Sequence, residues 1–174
     1  CANAGIFPLT WIKDMSEKEW DEVMNVNLKG PFLLLQSSLK HFMKKNYGKV
    51  VFTSSITGTA VSASGHAHYA ATKSGLMGLV KTAAVELSQY NININAIIPG
   101  NIMSEGMKFE RGDEYIKSQA KSIPMGRLAE TEEVGKVVSF LASDESSYIT
   151  GQGIIVDGGQ TAPENQDEVF HPKN

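Results

Sequence analysis

Much that would mark other kinds of protein is missing from these 174 residues. Cys1 is the only cysteine, so no internal disulfide framework can form, and a reducing, cytoplasmic setting is expected. Charge of one sign is scarce too. The 16 basic and 19 acidic residues give a formal net charge of -3, without the basic excess that a nucleic-acid partner requires. The longest strongly apolar run is Phe32–Leu35, far below the roughly 20 residues of a membrane-spanning helix. No stretch reads as a secretory signal, and neither an internal repeat nor a low-complexity segment precedes the polar end. A Gly-x-Ser-x-Gly elbow is absent, which counts against a serine hydrolase. What remains, 41% apolar and 20% charged, is an ordinary globular composition, long enough for one cored domain and short for two.

The chemistry is concentrated between Thr53 and Leu87. Tyr69 and Lys73 stand four apart at the start of a helix expected to run to about Ser88, a spacing that puts two Cβ atoms about 5–6 Å apart on one face. A free phenol ionises near pH 10 and a neighbouring cation favours its phenolate, so Lys73 can bring Tyr69 toward the range useful for acid-base work. Ser55, at the end of the preceding strand, can offer a neutral hydrogen bond to the same reacting oxygen. The three suit proton transfer to or from a carbonyl or alcohol oxygen. His66 and His68 fall in the loop before Tyr69 without a companion carboxylate or cysteine at ligand spacing. They read as solvent or substrate-rim side chains, and no metal site is expected.

The flanking elements follow from periodicity. Ser16 and Glu19 form a capping box ahead of a helix whose apolar positions are Trp20, Val23, Met24, Leu28, Phe32 and Leu35. Pro31 removes the i+4 donor of the Asn27 carbonyl, which predicts a kink and an ordered water there. Lys49–Thr53 reads as a strand buried on both faces. The Tyr69 helix is expected to bury Leu76, Leu79 or Val80, Ala83 and Leu87, with Ala71, Gly75 and Gly78 as a stripe of small residues open to a second backbone. Asn91–Ile98 is a strand ending in Pro99-Gly100, and the long connection from Asn101 to Leu128 reads as a mobile substrate-covering lid. Thr131-Glu132-Glu133 opens a helix with Val134, Val137, Val138 and Leu141 on its apolar face. Tyr148 to Gly153 is a loop, Ile154–Val156 a last strand, and 161–174 a polar tail.

This order of strand, paired serines, small-residue loop, Tyr-Ala-Ala-Thr-Lys, helix and Pro-Gly-terminated strand resembles the short-chain dehydrogenase/reductase family, NAD(P)-dependent oxidoreductases with a Ser-Tyr-Lys active site. The resemblance implies an α/β fold over residues 1–160, the C-terminal part of a Rossmann-like doubly wound parallel sheet in three layers. It assigns Tyr69 as general acid/base, Lys73 as the group that lowers its pKa and binds a ribose, and Ser55, which begins Ser-x-x-Gly with Gly58, as the group that polarises the substrate oxygen in preference to Ser54. Asn27, in Asn27-Leu28-Lys29-Gly30, would hold a relay water, with Asn25 as the competing assignment. Asn3, Ala4 and Gly5 match the family's Asn-Asn-Ala-Gly turn, with Ala2 replacing its first Asn. Pro99, Gly100, Ile102 and Ser104 would hold the nicotinamide amide, Ser104 standing where Thr is usual. The implied cofactor is NAD or NADP. The implied substrate is a small carbonyl/alcohol pair, either sugar- or polyol-like or a 3-oxoacyl thioester.

A homo-oligomer, dimer or tetramer, is the implied assembly, with neither nucleic acid nor membrane as partner. Only the later two-thirds of a family domain is matched, without the glycine-rich phosphate loop. The chain is therefore expected to be a fragment, to have negligible activity by itself, and to self-associate through an uncovered sheet flank. A non-catalytic binding or scaffold role is the other reading left open.

Overall fold

Successive residues of a strand point to opposite faces of its sheet, and Val50, Val51 and Phe52 thereby belong to two different cores. The computed structural model describes residues 1–165 and Val169, with backbone only for 105–111. Strand β1 (Gly48–Thr53) sends Val50 and Phe52 into a core with Leu76, Val80 and Leu87, and Val51 into another with Ile97 and Leu141. The first core is roofed by helices α2 (Gly30–Lys45) and α4 (Ala67–Leu87), the second by α6 (Thr131–Leu141). Helices on both faces of a parallel sheet make the three-layer α/β/α architecture of a doubly wound fold.

The sheet has the order β1-β2-β5, where β2 is Ile92–Pro99 and β5 is Gly153–Val156. Val50 pairs with Ile94 and Phe52 with Ala96, all parallel, and Ile97 pairs with Ile154. On the other side of β1, among the described residues, Ala2 alone is bridged, donating to the Val51 carbonyl (2.9 Å) and accepting from the Thr53 amide (3.0 Å). The turn Asn3-Ala4-Gly5 is thus fixed directly beside the C-terminal end of β1. The alternating asparagines of β2 act locally, since Asn93 and Asn95 both donate to the Ile149 carbonyl and so pin the loop that leads to β5.

Helix α1 (Glu17–Met24) is joined to α2 by a π turn, Asn25–Lys29, rather than by the predicted kink at Pro31. The Gly30 amide donates to the Asn25 carbonyl, five residues back, so the ladder changes register just before the proline that could not have continued it. The extra residue rotates the positions that follow. Leu35 remains buried while Phe32, predicted on the core face, is 42% exposed. The capping box is also only half present: Ser16 Oγ accepts from the Glu19 amide at 3.2 Å, while the Glu19 carboxylate turns away to His68. Within α4, Val80 takes the core position and Leu79 packs at its edge. Gly75 faces Leu28 of the π turn, whose Cδ2 lies 3.0 Å from where a Cβ would stand, so internal packing uses that part of the small-residue stripe.

The connection after β2 carries two short helical stretches joined at a kink and framed by a pair of two-residue strands. Strands β3 (Ile102–Met103) and β4 (Ala129–Glu130) pair at its two ends, and between them runs α5 (Glu105–Lys121), broken at Gly112 by a φ of 73°. Helix α6 is capped one residue earlier than predicted, by Glu130, in a reciprocal capping box with Glu133. Of the expected tail, Thr161 is tied through its amide and hydroxyl to the Asp157 carboxylate. The parts of that tail at 166–168 and 170–174 lie outside the described residues.

Candidate active site

Ser55 leaves β1 in an extended conformation and caps the four-residue turn α3 (Ile56–Thr59), its Oγ accepting from the Thr57 amide at 3.1 Å. Gly58 is needed at the third position after it. Its φ is 97°, and a Cβ there would stand 2.3 Å from the Ala70 carbonyl oxygen, so only glycine lets the turn lie against α4. That contact brings Ser55 to the side of Tyr69, and both side chains line the same cleft. The neighbouring Ser54 serves the packing instead. It is 2% exposed and its Oγ donates to the Lys73 carbonyl at 2.8 Å, locking β1 to α4.

Lys73 lies one turn beyond Tyr69, 4% exposed, with Nζ donating to the Thr53 carbonyl at 2.7 Å and standing 5.4 Å from the centroid of the Tyr69 ring. Burial lowers its pKa from the ordinary 10.5 to about 8. For Tyr69 the directions compete: burial pushes the phenol up and the neighbouring Ser55 hydroxyl pulls it down, with the net result above its ordinary value. The expected lowering by Lys73 is therefore not present in this arrangement, in which burial outweighs the favourable contacts.

Asn27 sits behind this group, 1% exposed, whereas the competing Asn25 is exposed. Its Oδ1 accepts from the Ile6 amide (2.9 Å) and its Nδ2 donates to the Ile6 carbonyl (2.8 Å). The residue clamps the chain immediately after Gly5. A Cβ on Gly5 would come within 3.3 Å of Asn27 Oδ1 and 3.8 Å of Lys73 Nζ, so the Asn3-Ala4-Gly5 turn, Asn27 and Lys73 meet at one point.

All of these face one open cleft of about 780 Å³ except Asn27, which lies behind its wall. Asn3, Ala4 and Gly5 line it with Ser55, Tyr69 and Lys73 on one side, and Pro99, Gly100, Ile102 and Ser104 come to it from the end of β2. It opens at the C-terminal ends of the strands, where doubly wound folds bind ligands. Tyr115, Gln119 and Gln160 also line it, and none carried a sequence signal, since each reaches the cleft through a distant element. His66 is on the rim, as expected, its ring edge-on to Tyr69 at 6.0 Å.

His68 departs from expectation. It is inside α4, which starts two residues earlier than predicted; its side chain is wholly buried, and Nε2 lies 3.1 Å from Glu19 Oε1. The companion carboxylate lies 49 positions away in sequence, beyond any local spacing rule. Among the described residues no group of three or more His, Cys, Asp or Glu side chains is placed to hold a metal, and no helix is long and apolar enough to cross a membrane.

A layered parallel sheet whose strand ends gather a buried lysine, a tyrosine and a serine at one cleft defines a doubly wound α/β protein with a candidate ligand cleft at the C-terminal ends of its strands. A family model described as enoyl-(acyl carrier protein) reductase matches residues 1–161, and the chain belongs to the short-chain dehydrogenase/reductase family. The oxidoreductase UcpA of Salmonella typhimurium is 39% identical over 170 residues, 94% of this chain and 65% of its own length. Among solved structures, a 3-oxoacyl-[acyl-carrier protein] reductase from Brucella melitensis with bound NAD superposes with a TM-score of 0.84 at 37% identity, over 91% of this chain and 60% of that one. A gluconate 5-dehydrogenase from Burkholderia cenocepacia, in complex with NADP and tartrate, superposes with a TM-score of 0.86 at 28% identity, over 92% and 63%. The chain thus spans less than two thirds of the length of these relatives.

Proposed function

We propose that the protein carrying this chain transfers a hydride between NAD or NADP and a carbonyl/alcohol pair, with Tyr69 as general acid/base. The observation that carries this reading is the meeting of Ser55, Tyr69 and Lys73 in one cleft, with Lys73 Nζ held on the Thr53 carbonyl beneath the Tyr69 ring. The cleft suits a nicotinamide nucleoside. It offers a buried ammonium, a backbone left open at Gly5 where a Cβ would press on Asn27 Oδ1, and a buried Thr53 Oγ1 without a partner. When bound, that cofactor supplies or accepts the hydride.

The chain's own residues manage the proton. In the reducing direction the Tyr69 hydroxyl gives its proton to the carbonyl oxygen as that oxygen gains charge, and Ser55 holds the same oxygen by a hydrogen bond. Lys73, still largely charged at neutral pH, favours the phenolate left behind and offers its remaining protons to a ribose hydroxyl. Asn27 sets the position of Gly5 and so of the cofactor, and the relay-water role is proposed for it as well. Asn3 and Ala4 border the ribose, and Pro99, Gly100, Ile102 and Ser104 flank the nicotinamide amide.

Relatives with NAD and with NADP support either cofactor, and sugar-acid and 3-oxoacyl relatives support either substrate class. The test uses full-length protein with NADPH and acetoacetyl-CoA, and with NAD or NADP and gluconate. Turnover of one pair should vanish in Tyr69→Phe while cofactor binding survives; retained turnover would remove Tyr69 from the mechanism. Cofactor binding with no turnover of any carbonyl would favour the scaffold reading instead. For residues 1–174 alone we propose negligible activity, to be checked by calorimetry with NAD(P)H. Self-association of residues 1–174 alone is proposed from the flank of β1, and a monodisperse monomer in light scattering would refute it; for the full-length protein a homo-oligomer is proposed from the exposed Leu33 and Leu34 of α2.

A further inference from the structure

The first amides of a helix lack carbonyl partners and are ordinarily met by a Ser, Thr, Asp or Asn side chain at the N-cap. In α4 the N-cap is His66, whose side chain caps nothing. The backbone ladder starts only at Ala70, whose amide donates to the His66 carbonyl at 2.8 Å. The amide one step earlier belongs to Tyr69, and it donates to His68 Nδ1 at 2.8 Å.

That hydrogen bond decides the form of the imidazole. Nδ1 must keep its lone pair to accept, so in the neutral ring the proton is on Nε2, which faces Glu19 Oε1 at 3.1 Å. The Thr10 side chain, beside Glu19, helps hold that carboxyl below its ordinary pKa, and the Thr10 amide donates to the Gly65 carbonyl at 2.9 Å, just ahead of the helix. Both ring nitrogens are therefore used, in a side chain with no solvent exposure.

We propose that His68 is a positioning residue for Tyr69: its Nδ1 holds the Tyr69 amide and its Nε2 is anchored on Glu19 of α1, so that one buried imidazole fixes the turn carrying the phenol. This rests on the reading of Tyr69 as the acid/base. A misplacement of about 1 Å at a reacting group costs on the order of a hundredfold in rate, and the phenol has to meet both Ser55 and the substrate oxygen.

Two substitutions separate the halves of the device. His68→Asn keeps an acceptor at the δ position for the Tyr69 amide, whereas His68→Gln keeps a donor at the ε position for Glu19 and loses that acceptor. In full-length protein, with acetoacetyl-CoA and NADPH or gluconate and NADP, His68→Gln and His68→Leu should lower kcat by about 10- to 100-fold. The KM for cofactor should stay within about twofold and the Tyr69 limb of the pH–rate profile should move; His68→Asn should recover kcat to within about fivefold. Amide hydrogen exchange supplies a readout that needs no substrate: the Tyr69 amide should be protected in wild type and His68→Asn, and unprotected in His68→Gln and His68→Leu. Wild-type kcat and pH profile in His68→Leu, with Tyr69→Phe inactive, would overturn the positioning role alone. So would variants that differ only in melting temperature, or a Tyr69 amide unprotected in wild type. An active Tyr69→Phe would instead overturn the reading beneath it.

Discussion

The two walls of the cleft are held in different ways. On the α4 side each chemical group is fastened by a partner on another element: Lys73 to Thr53, Ser54 to the Lys73 carbonyl, Asn27 to Ile6, and His68 to Glu19. On the other side, Asn101 Nδ2 donates to Gln119 Oε1 (2.8 Å) and the Asn101 amide to Gln160 Oε1 (3.1 Å), while α5 is interrupted at Gly112. Under the proposed function, the groups that would meet the reacting atoms lie on packed helix and strand, and those that would meet the substrate lie on a connection. The difference also accounts for substrate identity being harder to read than chemistry.

The sharpest way to break this contrast is at Lys73. Lys73→Met should reduce turnover of the full-length protein by about 100-fold or more, the range in which general acid-base groups contribute. It should also stabilise the fold. Lowering a lysine from 10.5 to about 8 by burial corresponds to a penalty of roughly 3 kcal/mol, offset by about 1–2 kcal/mol for the Thr53 carbonyl bond that is lost. The folded state releases this proton near pH 8 and the unfolded state only near 10.5, so the unfolded state binds more protons in between. Wild-type stability should accordingly rise with pH across that window. Denaturant unfolding between pH 7 and 10.5 checks this, since the rise should disappear in the variant.

Asn27 comes next. Removing both of its hydrogen bonds to Ile6 in a residue only 1% exposed should cost about 2 kcal/mol in Asn27→Ala, measured by denaturant titration. Because the clamp sets Gly5, the dissociation constant for cofactor should rise more than kcat falls. An equal loss in Asn25→Ala, an exposed position, would contradict the assignment.

The three strands of the main sheet and the Tyr-Lys face of α4 were legible in the sequence because each depends on local spacing, whereas Ser55 was preferred to Ser54 through the family resemblance. The phase of α2 was not, because a π turn adds a residue without any change in composition, and Phe32 left the core as a result. Nor was His68, since the carboxylate that gives it meaning is on α1. The direction of the Tyr69 pKa depends on how much water the cleft admits, which two residues at i and i+4 do not encode. Gln119 and Tyr115 enter the cleft only because β3 and β4 pair at the ends of their segment.

On the adaptable wall effects should be smaller. Gln119→Ala removes the partner of Asn101 Nδ2, and it should raise the substrate KM by about two- to fivefold with kcat nearly unchanged and stability within about 0.5 kcal/mol. A kcat loss as large as that of Lys73→Met would erase the distinction between the walls.

The smallest effect is expected where that wall is anchored. Arg127 grips Glu133 with two hydrogen bonds of 2.7 and 2.8 Å, and the same carboxylate accepts from the Glu130 amide at 2.8 Å, fixing β4, which pairs with β3 beside Ser104. The Arg127 bonds, then that amide, hold the Glu133 carboxyl at about 2 instead of 4.5. A folded-state pKa below the unfolded one gives a stabilisation that is present above pH 4.5 and is lost as the pH falls toward 2. The pair is solvent-exposed, so its worth at neutral pH is small. Glu133→Gln should leave neutral-pH stability and kcat close to wild type while flattening the decline in stability between pH 4.5 and 2. Should it instead raise the substrate KM as much as Gln119→Ala does, the β3–β4 pairing would be setting the substrate wall, and that wall would be less adaptable than the break in α5 at Gly112 implies.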